Sequence, residues 1–158
     1  MSSATKQWIP VVAVVWLTGC DSAPGPTSPS GPQSFLTGTW QGTITIQVNP
    51  GIPNAPPATS GTTTWTFEVV PQTNLQTFRA TIRADHPWLP ITTTASTAII
   101  PSNAPPAQIS TLGDYSSPRG CRGTFGSFGM AESGHIDADF SGTDCTVTFT
   151  GRVTLTKQ

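Results

Sequence analysis

The sequence predicts an all-β fold, an antiparallel up-and-down barrel of about eight strands, with a two-sheet β-sandwich as the alternative topology. Three observations lead there. Apolar and polar residues alternate with period two in run after run, the signature of strands with one buried face. Clusters of Pro and Gly punctuate those runs at 49–61, 71–76, 85–90, 101–107, 113–120, 131–134 and 141–144. Finally, 27 of the 158 residues are Thr and only 9% are charged. That composition suits exposed strand faces and leaves few helix formers.

The N-terminal segment precedes the fold. Met1 to Gln7 is polar with one positive charge, Lys6, and Trp8 to Leu17 is apolar apart from Pro10. A transmembrane helix needs about 20 apolar residues, so this stretch matches the h-region of a signal peptide instead. It ends in Leu17-Thr18-Gly19-Cys20, which resembles the lipobox of bacterial lipoproteins. The resemblance implies that residues 1–19 are removed and that Cys20 becomes a lipidated first residue. Its thioether-linked diacylglycerol and N-acyl chain, such as palmitate, would make a stable membrane anchor. Residues 21–34, DSAPGPTSPSGPQS, carry too little apolar surface to pack a core. With Cys20 they read as a semi-extended spacer between lipid and domain.

The domain proper spans 35–158, enough chain for one core. Its strands are expected at 37–48, 62–70, 77–84, 91–100, 107–112, 119–130, 134–141 and 145–156. In the first, Ile44, Ile46 and Val48 are even-numbered; in the second, Trp65, Phe67 and Val69 are odd. Phe78-Arg79-Ala80-Thr81-Ile82 and Ile136-Asp137-Ala138-Asp139-Phe140 continue the alternation. The fifth run has the weakest pattern. A meander through these strands closes naturally, and closure removes exposed sheet edges. It puts the loops at 49–61, 85–90, 113–118 and 141–144 at the end far from the spacer.

Lipidation of Cys20 leaves an even pair, Cys121 and Cys145, which an exported chain can oxidise to a disulfide. Two unpaired thiols are the alternative. A loop of about 25 residues closed this way stabilises a fold by roughly 3–4 kcal/mol. Both Cys begin strands two apart in the sheet, about 9–10 Å if the sheet were flat, so a bridge has to cross the rim.

Gly38-Thr39-Trp40, at the start of the first strand, resembles the Gly-x-Trp signature of lipocalins and fatty-acid-binding proteins. The resemblance implies that Trp40 packs at the closed end of a calycin-like barrel, against an Arg of the last strand. Arg152 is the candidate, although it falls on the Thr-rich parity, opposite Phe149, Val153 and Leu155.

Chemistry-bearing residues are sparse. His86 and Trp88, in Asp85-His86-Pro87-Trp88-Leu89-Pro90, and Tyr115 occupy loops at the expected mouth, and they are the candidate ligand-binding set. Trp88 capping the core is the competing reading. His135, Asp137 and Asp139 share one strand face, but spacings of about 6.5–7 Å are wide for one ion, so no metal site or cofactor is expected. No Gly-x-Ser-x-Gly elbow or local carboxylate pair supports catalysis, and the chain is not read as an enzyme. A net charge of −1 argues against nucleic acid as a partner.

The expected function is that of an envelope lipoprotein, anchored to the inner or outer membrane with its domain in the periplasm or outside the cell. It would bind a small or apolar ligand at the barrel mouth, or else act as a structural or interaction protein with a solid core. Interior volume separates the two, since Trp65, Phe67, Phe125, Phe140 and Phe149 are large enough together to fill eight strands.

Overall fold

The computed structural model describes residues 35–70, 77–100 and 105–158. Cys20, the segment 1–19 and the spacer 20–34 lie outside them. Eight strands follow in order: β1 Gly38–Val48, β2 Thr59–Val69, β3 Thr77–Asp85, β4 Ile91–Ile100, β5 Ala107–Ser116, β6 Arg122–Glu132, β7 His135–Asp144 and β8 Val147–Lys157. Each pairs antiparallel with the next, and β1 pairs with β8 from Trp40↔Lys157 to Val48↔Phe149. The barrel is therefore closed and up-and-down, an architecture compatible with a lipocalin-like fold, and the sandwich alternative is excluded.

The parity of the sequence decides what faces inward. Trp40, Ile44 and Ile46 of β1, Trp65 and Phe67 of β2, and Phe78, Ala80 and Ile82 of β3 are buried. The intervening Thr, Gln and Arg residues face out. Two apolar clusters result. One surrounds Leu36, Trp40, Phe67, Phe78 and Leu155 at the end where the chain enters. The other gathers Ile44, Ile46, Leu89, Tyr115, Phe140 and Phe149 towards the opposite rim. The indole of Trp65 donates to Thr63 Oγ1 (3.1 Å), whose hydroxyl donates to the Arg83 carbonyl, so that buried N–H is satisfied.

β5 runs four residues further than its pattern suggests, to Ser116. Gly113 reads as a breaker in sequence, yet it sits mid-strand opposite Phe125. A Cβ there would lie 2.8 Å from the Phe125 ring, so the missing side chain provides room for an aromatic neighbour. Asp114 and Tyr115 consequently belong to a strand and not to a loop.

At the chain-entry end, Trp40 is fully buried and its indole donates to the Leu36 carbonyl at 2.7 Å. The cation over its ring is Lys157, 5.5 Å from the centroid, which also donates to the Phe35 carbonyl. Arg152 does not take that place. β8 runs without a bulge through Gly151, so Arg152 stays on the outer face and pairs with Asp137.

Candidate functional site

The far rim collects the residues that the sequence singles out. The turn between β5 and β6 is held by Ser117 and Cys121, whose backbone groups bond at 2.8 Å. Cys145 occupies the tight β7–β8 turn with positive φ. Cys121 and Cys145 are disulfide-bonded, with Cα atoms 5.5 Å apart. The staple crosses the rim as expected, between turns, although neither Cys faces the core: Cys121 is half-buried and Cys145 exposed.

Beneath the staple lies a polar network that parity alone does not reveal. Asp144, the last residue of β7, is completely buried. The Tyr115 hydroxyl donates to Asp144 Oδ1 and reaches the Thr143 carbonyl, both at 3.2 Å. The Arg119 guanidinium pairs with the other carboxylate oxygen. Burial, followed by the charge and hydrogen bond of Asp144, pushes the Tyr115 phenol well above its ordinary range. Room for its ring comes from Gly123, where a Cβ would lie 2.1 Å from it.

Arg119 also stacks on Trp88, 4.8 Å from the ring centroid, while Trp88 packs edge-on against Phe149 at 5.5 Å. His86 is 1% exposed. Its Nδ1 accepts the Trp88 N–H (3.1 Å), which leaves Nε2–H to donate to the Thr59 carbonyl at 2.9 Å. Leu89 follows it inward at 2% exposure. His86, Trp88 and Tyr115 are thus brought to one rim as a plug, with His86 bonded to the Thr59 carbonyl and the Trp88 backbone N–H and Tyr115 bonded to Asp144.

Below this plug is a void of about 20 Å³, lined by apolar side chains including Trp65, Leu89, Phe125 and Phe149. Its volume is about that of one water molecule, and its apolar lining offers such a water no hydrogen-bond partner. The larger hollows are external. Grooves of about 720, 420 and 430 Å³ lie on the outer wall from β5 round to β1, all bounded by Leu112 or Phe128. Leu112 (64% exposed), Phe128 (53%) and Met130 (39%) stand there as apolar side chains on a face otherwise rich in Thr, Ser and Asp. These three went unread in the sequence. Their signal was an apolar residue on the solvent parity, beside Gly126.

His135, Asp137 and Asp139 line the outer face of β7, with Asp137 engaged by Arg152 and Thr154. Arg152 holds the Asp137 carboxyl below its ordinary range. Cys121, Asp144 and Cys145 bring three ligand-type atoms together, but the disulfide consumes both thiols.

No protein-family model matches the chain, and no curated protein matches it. The fold and site define its class as a small up-and-down β-barrel with a filled interior, stapled at one rim.

Proposed function

We propose that the protein is a membrane-tethered envelope lipoprotein whose barrel is a solid scaffold, working through its outer surface and not as an enzyme or ligand carrier. The observation that carries this reading is the filled interior. Ligand pockets occupy about 300–1,000 Å³, whereas the internal void measures about 20 Å³. The residues that would have lined a mouth, His86, Trp88 and Tyr115, are committed to closing it.

The tether rests on the run Leu17-Thr18-Gly19-Cys20 and on the Pro/Ser/Gly tract that follows. Since the chain enters beside Trp40, the stapled rim would face away from the bilayer. Native mass spectrometry of delipidated protein from its own host tests the scaffold. The expected spectrum shows the bare chain, and a small molecule retained in stoichiometric amount would overturn the solid-core reading. Replacing Cys20 with Ser tests the anchor. Release into the soluble fraction is expected, and continued membrane retention would refute lipidation.

A further inference from the structure

We propose that the Cys121–Cys145 disulfide is a redox latch on Trp88, and that its reduction lets Trp88 lift from the rim and open the apolar interior. This goes beyond the scaffold reading above, which describes the oxidised barrel. A chain of contacts runs from the sulfurs to the core. The disulfide extends the β6–β7 ladder past its last pair, Gly123↔Asp144, and one Asp144 oxygen lies within 4.8 Å of both sulfurs. The bridge thereby holds the 117–121 turn against Asp144, where Arg119 pairs with the carboxylate. Arg119 also lies 4.8 Å from the Trp88 ring centroid, and Trp88 meets Phe149 at 5.5 Å.

Trp88 is the part of the plug that depends most on this arrangement. The Trp40 and Trp65 indoles are buried and donate to Leu36 and Thr63. Trp88 is half-buried, and its ring rests on Phe149 and Arg119. His86, tied to the Thr59 carbonyl of β2, is the fixed end of the segment. A half-exposed cation on a ring is a weak contact by itself, so Arg119 stays over Trp88 because its turn is fixed. The turn's own bonds, from Ser117 to Cys121 and from Gly120 to Ser117, shape it without tying it to the β7–β8 turn. The disulfide supplies that tie.

Cys145 is exposed and Cys121 half-buried, so a dithiol reductant reaches the bridge from outside. Its thiolate attacks the Cys145 sulfur, the S–S bond breaks, and Cys121 leaves as a thiolate that takes up a proton. The second thiol of the reductant then displaces Cys145 from the mixed disulfide. Two electrons and two protons pass to the protein, and the reductant ends as a disulfide. The 117–121 turn is then free to carry Arg119 off the ring. Trp88 loses the cation above it and uncovers Phe149, which lines the internal void with Trp65, Leu89 and Phe125. The oxidised barrel is solid; the reduced barrel presents an apolar opening.

The full chain carrying Cys20→Ser keeps Cys121 and Cys145 as its only cysteines. Its amide hydrogen exchange, read by mass spectrometry with and without dithiothreitol, tests the latch at times too short for the Trp40 end to exchange. Reduction should speed exchange of residues 86–90 and 117–121 by about tenfold or more, while β1 and β2 around Trp40 stay protected. Cys121→Ser combined with Cys145→Ser should reproduce the reduced pattern without reductant. Equal exchange of 86–90 in the two redox states would overturn the proposal. So would loss of protection at the Trp40 end in step with 86–90, because the bridge would then be a general staple.

Arg119→Met keeps the bridge and removes the cation. Residues 86–90 should then exchange fast in the oxidised chain, and reduction should add less than about twofold. Arg119→Lys, which keeps a charge for Asp144 but loses the planar stack, carries the same test if the Met variant fails to fold. A full response to reduction in either folded variant would overturn Arg119 as the link between bridge and ring. Native mass spectrometry of the oxidised chain decides the solid-core reading separately, so the two failures are distinguishable.

Discussion

At the end where the chain enters, Leu36, Trp40, Phe67 and Phe78 are all fully buried, and the Trp40 indole donates to the Leu36 carbonyl. At the opposite rim the closure contains a buried carboxylate, a buried phenol, a buried imidazole and a stacked guanidinium, with a disulfide above them. The first end is sealed by strand residues that continue the barrel's inward parity, with Leu36 just before β1 folded in beneath them. The second is sealed by turns and by the 86–90 loop, which must bring their own polar backbone inside and therefore need partners for it. Apolar closure tolerates imprecision, whereas a buried polar closure is specific and fails when one member is lost.

Trp40→Ala should give the largest effect. Its ring is completely buried and meets Phe67 edge-on at 6.5 Å. Truncation of such a side chain costs about 3–5 kcal/mol, a large share of the 5–15 kcal/mol typical of a whole domain. Urea unfolding would measure it. A loss below about 1 kcal/mol would mean that this end does not close the core.

Replacing Cys121 and Cys145 together by Ser should cost roughly 3–4 kcal/mol, because the bridge spans 24 residues. The comparison sharpens if Asp144→Asn is then introduced in both backgrounds. An effect of Asp144→Asn that grows without the bridge would show that staple and network share one cooperative unit.

Asp144→Asn alone should cost about 1–3 kcal/mol through its bonds to Tyr115 and Arg119. Tyr115 is the chain's single tyrosine, so tyrosinate absorbance reports on this site alone. The folded phenol is raised above its unfolded value near 10. Its contribution is therefore complete below about pH 10 and is lost as pH rises through the higher folded value. In Asp144→Asn the midpoint should fall yet remain above that of denatured protein, since burial is the largest cause. An unchanged midpoint would remove Asp144 from the account.

The two ends also differ in how far they could be read from the sequence. Trp40, Ile44, Ile46, Trp65 and Phe67 declare themselves through period-two alternation, and eight such runs lead to a closed barrel. The disulfide follows from thiol arithmetic, and its place in the turns from strand spacing. The polar rim was legible only as a list of residues. Gly113 reads as a break because composition cannot distinguish a turn glycine from one that vacates space for Phe125. Asp144 sits in a stretch that reads as a loop, and its burial depends on Tyr115 from β5 and Arg119 from the following turn arriving at the same place. His86 and Trp88 read in sequence as aromatic residues of a rigid mouth loop, with Trp88 as a cap on the core the competing reading. In the structure His86 is buried and Trp88 packs on the core against Phe149.

Lys157 and Arg152 provide the smallest and most discriminating comparison. Both are cations on β8, five residues apart and on opposite faces. Lys157→Met removes the cation over Trp40 and the bond to the Phe35 carbonyl, and a loss of about 0.5–2 kcal/mol is expected. Arg152→Met removes an exposed ion pair with Asp137, and should leave the urea midpoint at pH 7 within measurement error. Whatever it changes must also depend on pH in a fixed direction. Asp137 is held below its unfolded value by Arg152, so that contribution is present above about pH 4 and fades as pH falls through the lower folded value. The Lys157 effect carries no such acid dependence, because its partners are a ring and a backbone carbonyl. If Arg152→Met proved the costlier variant, or if its effect persisted unchanged in acid, the cation serving the Trp40 end would have been misassigned.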